Sequence, residues 1–192
     1  GKFNPEVQIF RGFWMITWFE NEFSYSEVIQ AEESNIPAEE VMNTMLHQAP
    51  PGSLGLMVQP FWGPDLTEPS AKGAMIGYGD AHKKPHVYRA VIEGIMYGLR
   101  EGKERIEKVS GKTIKKLVVS GGASQSDEIC QITADIFNLP VVRGKTTETS
   151  SLGAALLTAF GTGIYPTIDE AVKNMVHLQN EFHPDKKNVQ LY

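Results

Sequence analysis

Lys116 to Ser120 is a short run dominated by apolar β-branched residues, and it stops at Gly121-Gly122 before an amphipathic stretch from Ser124 to Phe137. A buried strand, a tight turn and a helix in that order point to a layered α/β domain. Two adjacent glycines let the backbone approach a ligand closely. The start of a helix also leaves N–H groups free. Glycine turns of this kind are common, so the turn alone fits a purely structural role equally well.

The residues that follow sharpen the expected ligand. Ser124 and Asp127 have the form of a capping box. Asp127 and Glu128 place negative charge at the helix start, where a phosphate would be repelled. A nucleotide at this turn would therefore present its neutral base or ribose, with its phosphates elsewhere. The Ser126 hydroxyl could then hydrogen-bond that base or sugar. The alternative is that Ser124 and Ser126 serve only the cap.

The same reading extends along the chain. Glu6 to Arg11 alternates polar and apolar residues, which predicts a strand ended by Gly12. Phe13 to Phe23 has Trp14, Trp18 and Phe19 at helical spacing, which predicts a core-facing helix, with part of the cluster exposed if a packing partner is missing. A helix opens at Asn35-Ile36-Pro37, where proline costs nothing and acids fill the first turn, and runs to about Leu46. Leu54 to Val58 and Ala74 to Tyr78 read as strands, with a Pro/Gly-rich loop at 59–65 between them. His86 to Val109 is strongly helical. Pro140 to Val142 is a second short strand, and helices follow at 150–160 and 167–175. The polar segment from Phe182 to Tyr192 is expected to fray.

Composition excludes several classes. The 192 residues are 41% hydrophobic, enough for a sizeable core, and carry a net charge of −5 without a basic block, which argues against nucleic acid as a partner. The basic pairs Lys83-Lys84, Lys115-Lys116 and Lys186-Lys187 read as solvated charge. Cys130 is the single cysteine, so no intrachain disulfide can form, which fits a reducing, cytoplasmic setting. No apolar run reaches the ~20 residues that span a bilayer. The first residue is Gly1, so the chain is expected to be a fragment, a processed product or a tagged protein.

Other chemistry fails on spacing. Gly98 to Lys103 is one residue short of a phosphate loop and lies in a predicted helix. His82 and His86 are four apart, but Pro85 between them is expected to break the register a metal pair needs. Cys130 sits on an apolar helix face and reads as core. Asp65 and Asp80 read as solvated loop acids.

Four ordered segments carry a resemblance. Gly73-Ala74-Met75-Ile76-Gly77-Tyr78, seven residues, then His86-Val87-Tyr88-Arg89-Ala90-Val91-Ile92-Glu93 resembles the second signature of the FGGY carbohydrate kinases, departing from it at Tyr78. Phe61 to Asp65 resembles the loop before that signature. Val119 to Ser126 resembles the family's adenosine motif, and Thr147 to Ala155 its downstream Glu and Leu-Gly-Ala-Ala helix.

The resemblance implies an actin-like ATPase fold of two RNase H-like domains, of which this chain is the C-terminal half: a nucleotide-binding domain at 1–180 and a tail at 181–192. It implies that Gly121, Gly122, Ala123 and Ser126 form the adenosine site, and that Gly12 and Thr17 approach the nucleotide. It implies ATP and Mg²⁺ as cofactors and a sugar or polyol as substrate, first a ketopentose such as xylulose, then glycerol. The family's Asp-x-Gly-Thr loop and its catalytic Asp do not occur here, so no catalytic residue is assigned and negligible kinase activity is expected without an N-terminal domain. A non-catalytic actin-like nucleotide-binding module and a ligand-free structural fragment are the rival readings. A homo-oligomer stays open.

Overall fold

The computed structural model describes residues 4–63 and 68–192. Its centre is one long helix, α4 (Lys84–Ser110), which packs against elements that come both before and after it in the chain. Before it come α1 (Trp14–Phe23), α2 (Tyr25–Ser34) and α3 (Ala38–Asn43), which tightens into a 3₁₀ turn at Thr44–Gln48, then the antiparallel pair β1 (Met57–Gln59) and β2 (Ala74–Ile76). After it come β3 (Leu117–Val119), α5 (Asp127–Phe137), β4 (Val141–Gly144), α6 (Thr149–Gly161), α7 (Ile168–Met175), β5 (Leu178–Phe182) and α8 (Lys186–Leu191). The second sheet has the order β3-β4-β5, with β3 and β4 parallel across α5 and β5 antiparallel to β4.

The apolar stripe of α4 explains its central place. Tyr88, Val91, Ile92 and Ile95 are fully buried and meet Phe19 of α1, Met42 of α3, Leu46 and Ile136 of α5 in one cluster. Gly94 is needed on this stripe because β1 crosses it: a Cβ there would stand 2.3 Å from the Val58 carbonyl oxygen. Buried charge on the same helix is paired. Arg89 meets Glu93 at 2.7 Å, and Arg89 also donates to the Leu46 and Ala49 carbonyls.

Several expectations are corrected. Glu6 to Arg11 is not a strand: residues 4–9 have no regular secondary structure and pair with no strand. Its alternation serves α4 instead, with Val7 lying over Gly102 and Ile9 over Gly98. The strand placed at 54–58 starts later, because 53–55 form a 3₁₀ turn with Leu54 at φ 55°. Ser124 does not cap α5. Ser126 does, accepting from the Ile129 N–H at 3.2 Å, while 122–125 wind as a separate 3₁₀ turn. Pro85 lies in the first turn of α4, where the missing N–H is harmless, so His82 stands ahead of the helix and shares no helical register with His86, as expected. His86 is buried and its Nδ1 accepts from the Lys83 N–H. Lys84 is not simply solvated; it pairs with Glu27 at 2.7 Å.

The aromatic cluster divides. Phe19 is fully buried, Trp18 packs on Trp62 with ring centroids 5.1 Å apart, and Trp14 is 68% exposed. Pro64 and Asp65 of the expected loop lie outside the described residues.

The expectation that 182–192 frays is also overturned. Residue 180 falls inside β5, and α8 is pinned through Asp135 of α5, which accepts from the Asp185 backbone N–H and from the Asn188 amide. The Tyr192 phenol donates to Glu93 at 2.6 Å and accepts from Arg89 at 2.8 Å.

Candidate functional site

The β3–α5 connection is shaped by Gly121. Its backbone sits at φ 86°, ψ −178°, a region that is essentially glycine's alone. Its N–H donates to the Thr147 carbonyl, and its own carbonyl accepts from both the Ser124 N–H and the Ser124 hydroxyl. Gly121 thus turns the chain sharply and sets up the 3₁₀ turn that presents Gly122 and Ala123.

That turn forms one wall of a cleft of about 700 Å³, within the ~300–1,000 Å³ typical of small-molecule sites. Gly122, Ala123 and Ser126 line it, and so does Thr17 of α1. Four of the six residues expected at the site therefore converge. The other two are not among the residues lining the cleft: Gly121 makes the turn from behind, and Gly12 is buried in the turn ahead of α1, where its N–H donates to the Ile9 carbonyl.

Sequence reasoning missed the opposite wall. It comes from α3 and the following 3₁₀ turn: Glu39, Glu40, Asn43, Thr44 and His47, with Tyr88 of α4 at the base. Tyr88 donates to Asn43 Oδ1 at 2.8 Å, which fixes the amide, and burial pushes the Tyr88 phenol well above its ordinary range, so it stays a neutral donor. The acids after Pro37 have a complete local explanation as helix-start charges, so no signal in the sequence marks them as site residues.

The charge of the cleft follows from these walls. Glu39, Glu40, Asp127 and Glu128 line it, and so does the His47 imidazole. Asp127 is balanced by Arg143 at 2.8 Å, and Glu128 accepts from the Ser126 hydroxyl at 2.8 Å and meets His47 Nε2 at 3.0 Å. Burial alone would raise the Glu128 carboxyl, but its hydrogen bonds from its own backbone, Ser126 and His47 together hold it below the ordinary range. The Ser126 hydroxyl is thus committed to its cap and to Glu128, which leaves one lone pair for a ligand. The arrangement suits a neutral, hydrogen-bonding, partly apolar body and opposes a free phosphate.

Cys130 lies behind the turn, buried in α5, and burial pushes its thiol up to about 11. It is core, as expected. Among the described residues, no group of three or more His, Cys, Asp or Glu is placed to hold a metal ion, and no helix is long and apolar enough to cross a membrane.

Residues 15–162, spanning both walls of this cleft, match the model of the FGGY family of carbohydrate kinases, C-terminal domain. The chain belongs to this family. The FGGY domain is 33% identical over 182 residues to an uncharacterized sugar kinase of Escherichia coli, covering 95% of this chain and 37% of that protein. It is 36% identical over 146 residues to a xylulose kinase of Lactococcus lactis, with 74% and 29% covered, and 31% identical over 185 residues to a glycerol kinase of Shewanella piezotolerans, with 96% and 36% covered. The chain therefore spans about a third of the length of these relatives.

Among solved structures, ligand-bound xylulose kinase from Lactobacillus acidophilus superposes with a TM-score of 0.75 at 24% identity, over 92% of this chain and 34% of that one. Gluconate kinase from the same organism gives a TM-score of 0.69 at 28% identity, over 80% and 31%. The fold is the actin-like ATPase fold, in its C-terminal half. The FGGY domain thus carries the glycine turn on β3 and α5, and the missed wall on α3, inside the matched region.

Proposed function

We propose that this domain grips the adenosine of ATP for a carbohydrate kinase that transfers the γ-phosphoryl group to a hydroxyl of a sugar or polyol. The observation that carries the reading is the cleft in which Thr17, Gly122, Ala123 and Ser126 face the acidic α3 wall. Bound ATP would supply the phosphoryl group. Gly122 offers open space to it, since no protein atom lies within 4 Å of where its Cβ would be. Tyr88, by fixing Asn43, would hold an amide ready for the base or ribose. The acids keep the phosphates directed out of this cleft. Mg²⁺ would be bound mainly through the phosphates, as that ion prefers.

Gly12 and Gly121 then act on the nucleotide only indirectly, by shaping the turns that carry Thr17 and Gly122. A ketopentose such as xylulose is the first proposed acceptor, supported by the similarity to xylulose kinases; glycerol or another polyol is the second, supported by the similarity to glycerol kinases. No base for the acceptor hydroxyl is assigned within the domain, so negligible activity is proposed for it without an N-terminal domain, and a cytoplasmic setting is proposed for the enzyme.

Calorimetric titration of the purified chain with adenosine, ATP and inorganic triphosphate tests the reading. Adenosine and ATP should bind with affinities within about tenfold of each other, and triphosphate should not compete, because the acidic walls exclude it. Triphosphate binding as tightly as ATP would overturn the assignment. Binding of none of the three would favour the structural-fragment reading.

A further inference from the structure

Arg143 is on β4 and is not among the residues lining the nucleotide cleft, yet its guanidinium is built around the glycine turn. Nη1 donates to the carbonyls of Ser124 and Gln125, both at 3.0 Å. Nη2 donates to Asn180 Oδ1 at 2.7 Å and meets Asp127 at 2.8 Å, and Nε reaches the same Asn180 oxygen at 3.3 Å. The group also lies over the Phe182 ring, 5.4 Å from its centroid. Five N–H groups serve five contacts, which only a planar guanidinium can do.

These contacts divide into two sets. Ser124 and Gln125 end the 3₁₀ turn that presents Gly122 and Ala123 to the cleft, and Asp127 opens α5 just beyond it. Asn180 and Phe182 belong to β5. The side chain of Arg143 is only 12% exposed, so its charge depends on Asp127 for balance.

We propose that Arg143 is a positioning residue for the adenosine turn: it fixes residues 122–126 in the geometry that lines the cleft, and it ties that turn to β5. The role rests on the nucleotide reading above. It gives the polar C-terminal strand a part in ligand binding, although β5 itself is not among the elements lining the cleft. Lysine at 143 would keep the charge but offer three donors from one point, and so cannot hold two carbonyls, Asn180 and Asp127 together.

The test uses Arg143→Lys and Asn180→Ala in the 192-residue chain, read by amide hydrogen exchange and by calorimetric titration with ATP. The Ser124 and Ser126 amides are bonded to the Gly121 and Ala123 carbonyls, so they report on the turn directly. In Arg143→Lys they should exchange about tenfold faster, and ATP should bind about tenfold more weakly, while α4 amides keep their wild-type protection. Asn180→Ala removes a single acceptor and should show the same pattern at about threefold, which keeps the test available if the lysine variant does not fold. Unchanged exchange at 124 and 126 overturns the proposal. Acceleration spread equally over β4, β5 and α4 also overturns it, because that marks a merely structural role. If wild type binds no ATP, the nucleotide reading falls, and the exchange data alone decide the coupling of the turn to β5.

Discussion

Replacing Gly122 by alanine should separate loss of ligand from loss of fold. Gly122 opens the 3₁₀ turn at Gly122–Gln125, its backbone lies outside the left-handed region, and no protein atom stands within 4 Å of a Cβ built on it. Alanine there strains nothing and restricts the unfolded chain, which stabilises by about 0.4–1 kcal/mol. For a chain of this size that is a rise of roughly 1–4 °C in Tm. The new methyl projects from a residue that lines the cleft, so a ligand packed on the glycine backbone must shift, at about 1–3 kcal/mol. That cost is a factor of about 5 to 150 in Kd. Gly121→Ala is the control: at φ 86°, ψ −178° alanine is strained by about 1–3 kcal/mol, so that variant should lose stability and binding together. Thermal melts and ATP titrations of both variants decide the matter. Wild-type ATP affinity in Gly122→Ala, or a fall in its Tm of several degrees, would refute the reasoning.

Three further outcomes rest on buried and half-buried groups. Tyr192→Phe removes a donor to Glu93 and an acceptor for Arg89 at a buried ion pair, and should cost about 1–3 kcal/mol in urea unfolding. Glu128 and Glu27 are both held below the ordinary carboxylate range, in each case because hydrogen bonds and a partner outweigh burial. A carboxyl depressed in the folded state contributes stability that is complete above its unfolded value of about 4.3 and is lost as pH falls through the folded value. The urea midpoint should therefore drop on acidification below about pH 5, and Glu128→Gln should flatten that dependence. Cys130, buried and with its thiol raised to about 11, should react with a thiol reagent at pH 8 only at the rate of opening, so urea should accelerate labelling steeply while the folded chain resists it.

Much of the fold was legible where one pattern has one use. Val87, Val91 and Ile95 recur along α4 because one face of that helix is core, and the β3–Gly121–α5 unit announces itself by a change of period. The errors arise where a pattern serves a different partner. Val7 and Ile9 alternate because they fill the spaces over Gly102 and Gly98 of a helix, which periodicity cannot tell from a sheet. The 182–192 segment looks solvated because its anchors are polar: Asp185, Asn188 and Tyr192 are held by Asp135, Glu93 and Arg89, far away in sequence.

The site was legible by half for the same reason. Gly122, Ala123 and Ser126 sit on a local motif, and Thr17 entered through the family resemblance. Glu39, Glu40, Asn43 and His47 reach the cleft only through tertiary packing, in which the 3₁₀ turn after α3 lies against α4. Arg143 carried no local mark at all, because its partners lie 16 to 19 residues before it and 37 to 39 after it.

Backbone amide shifts of the isotopically labelled chain, followed through a titration with ATP, test the central claim most directly. Saturable shifts at Thr17, Gly122, Ala123 and Ser126, together with residues 39–47 on the facing wall, are the predicted result. Saturable shifts confined to another face of the domain, with these amides unmoved, would contradict it.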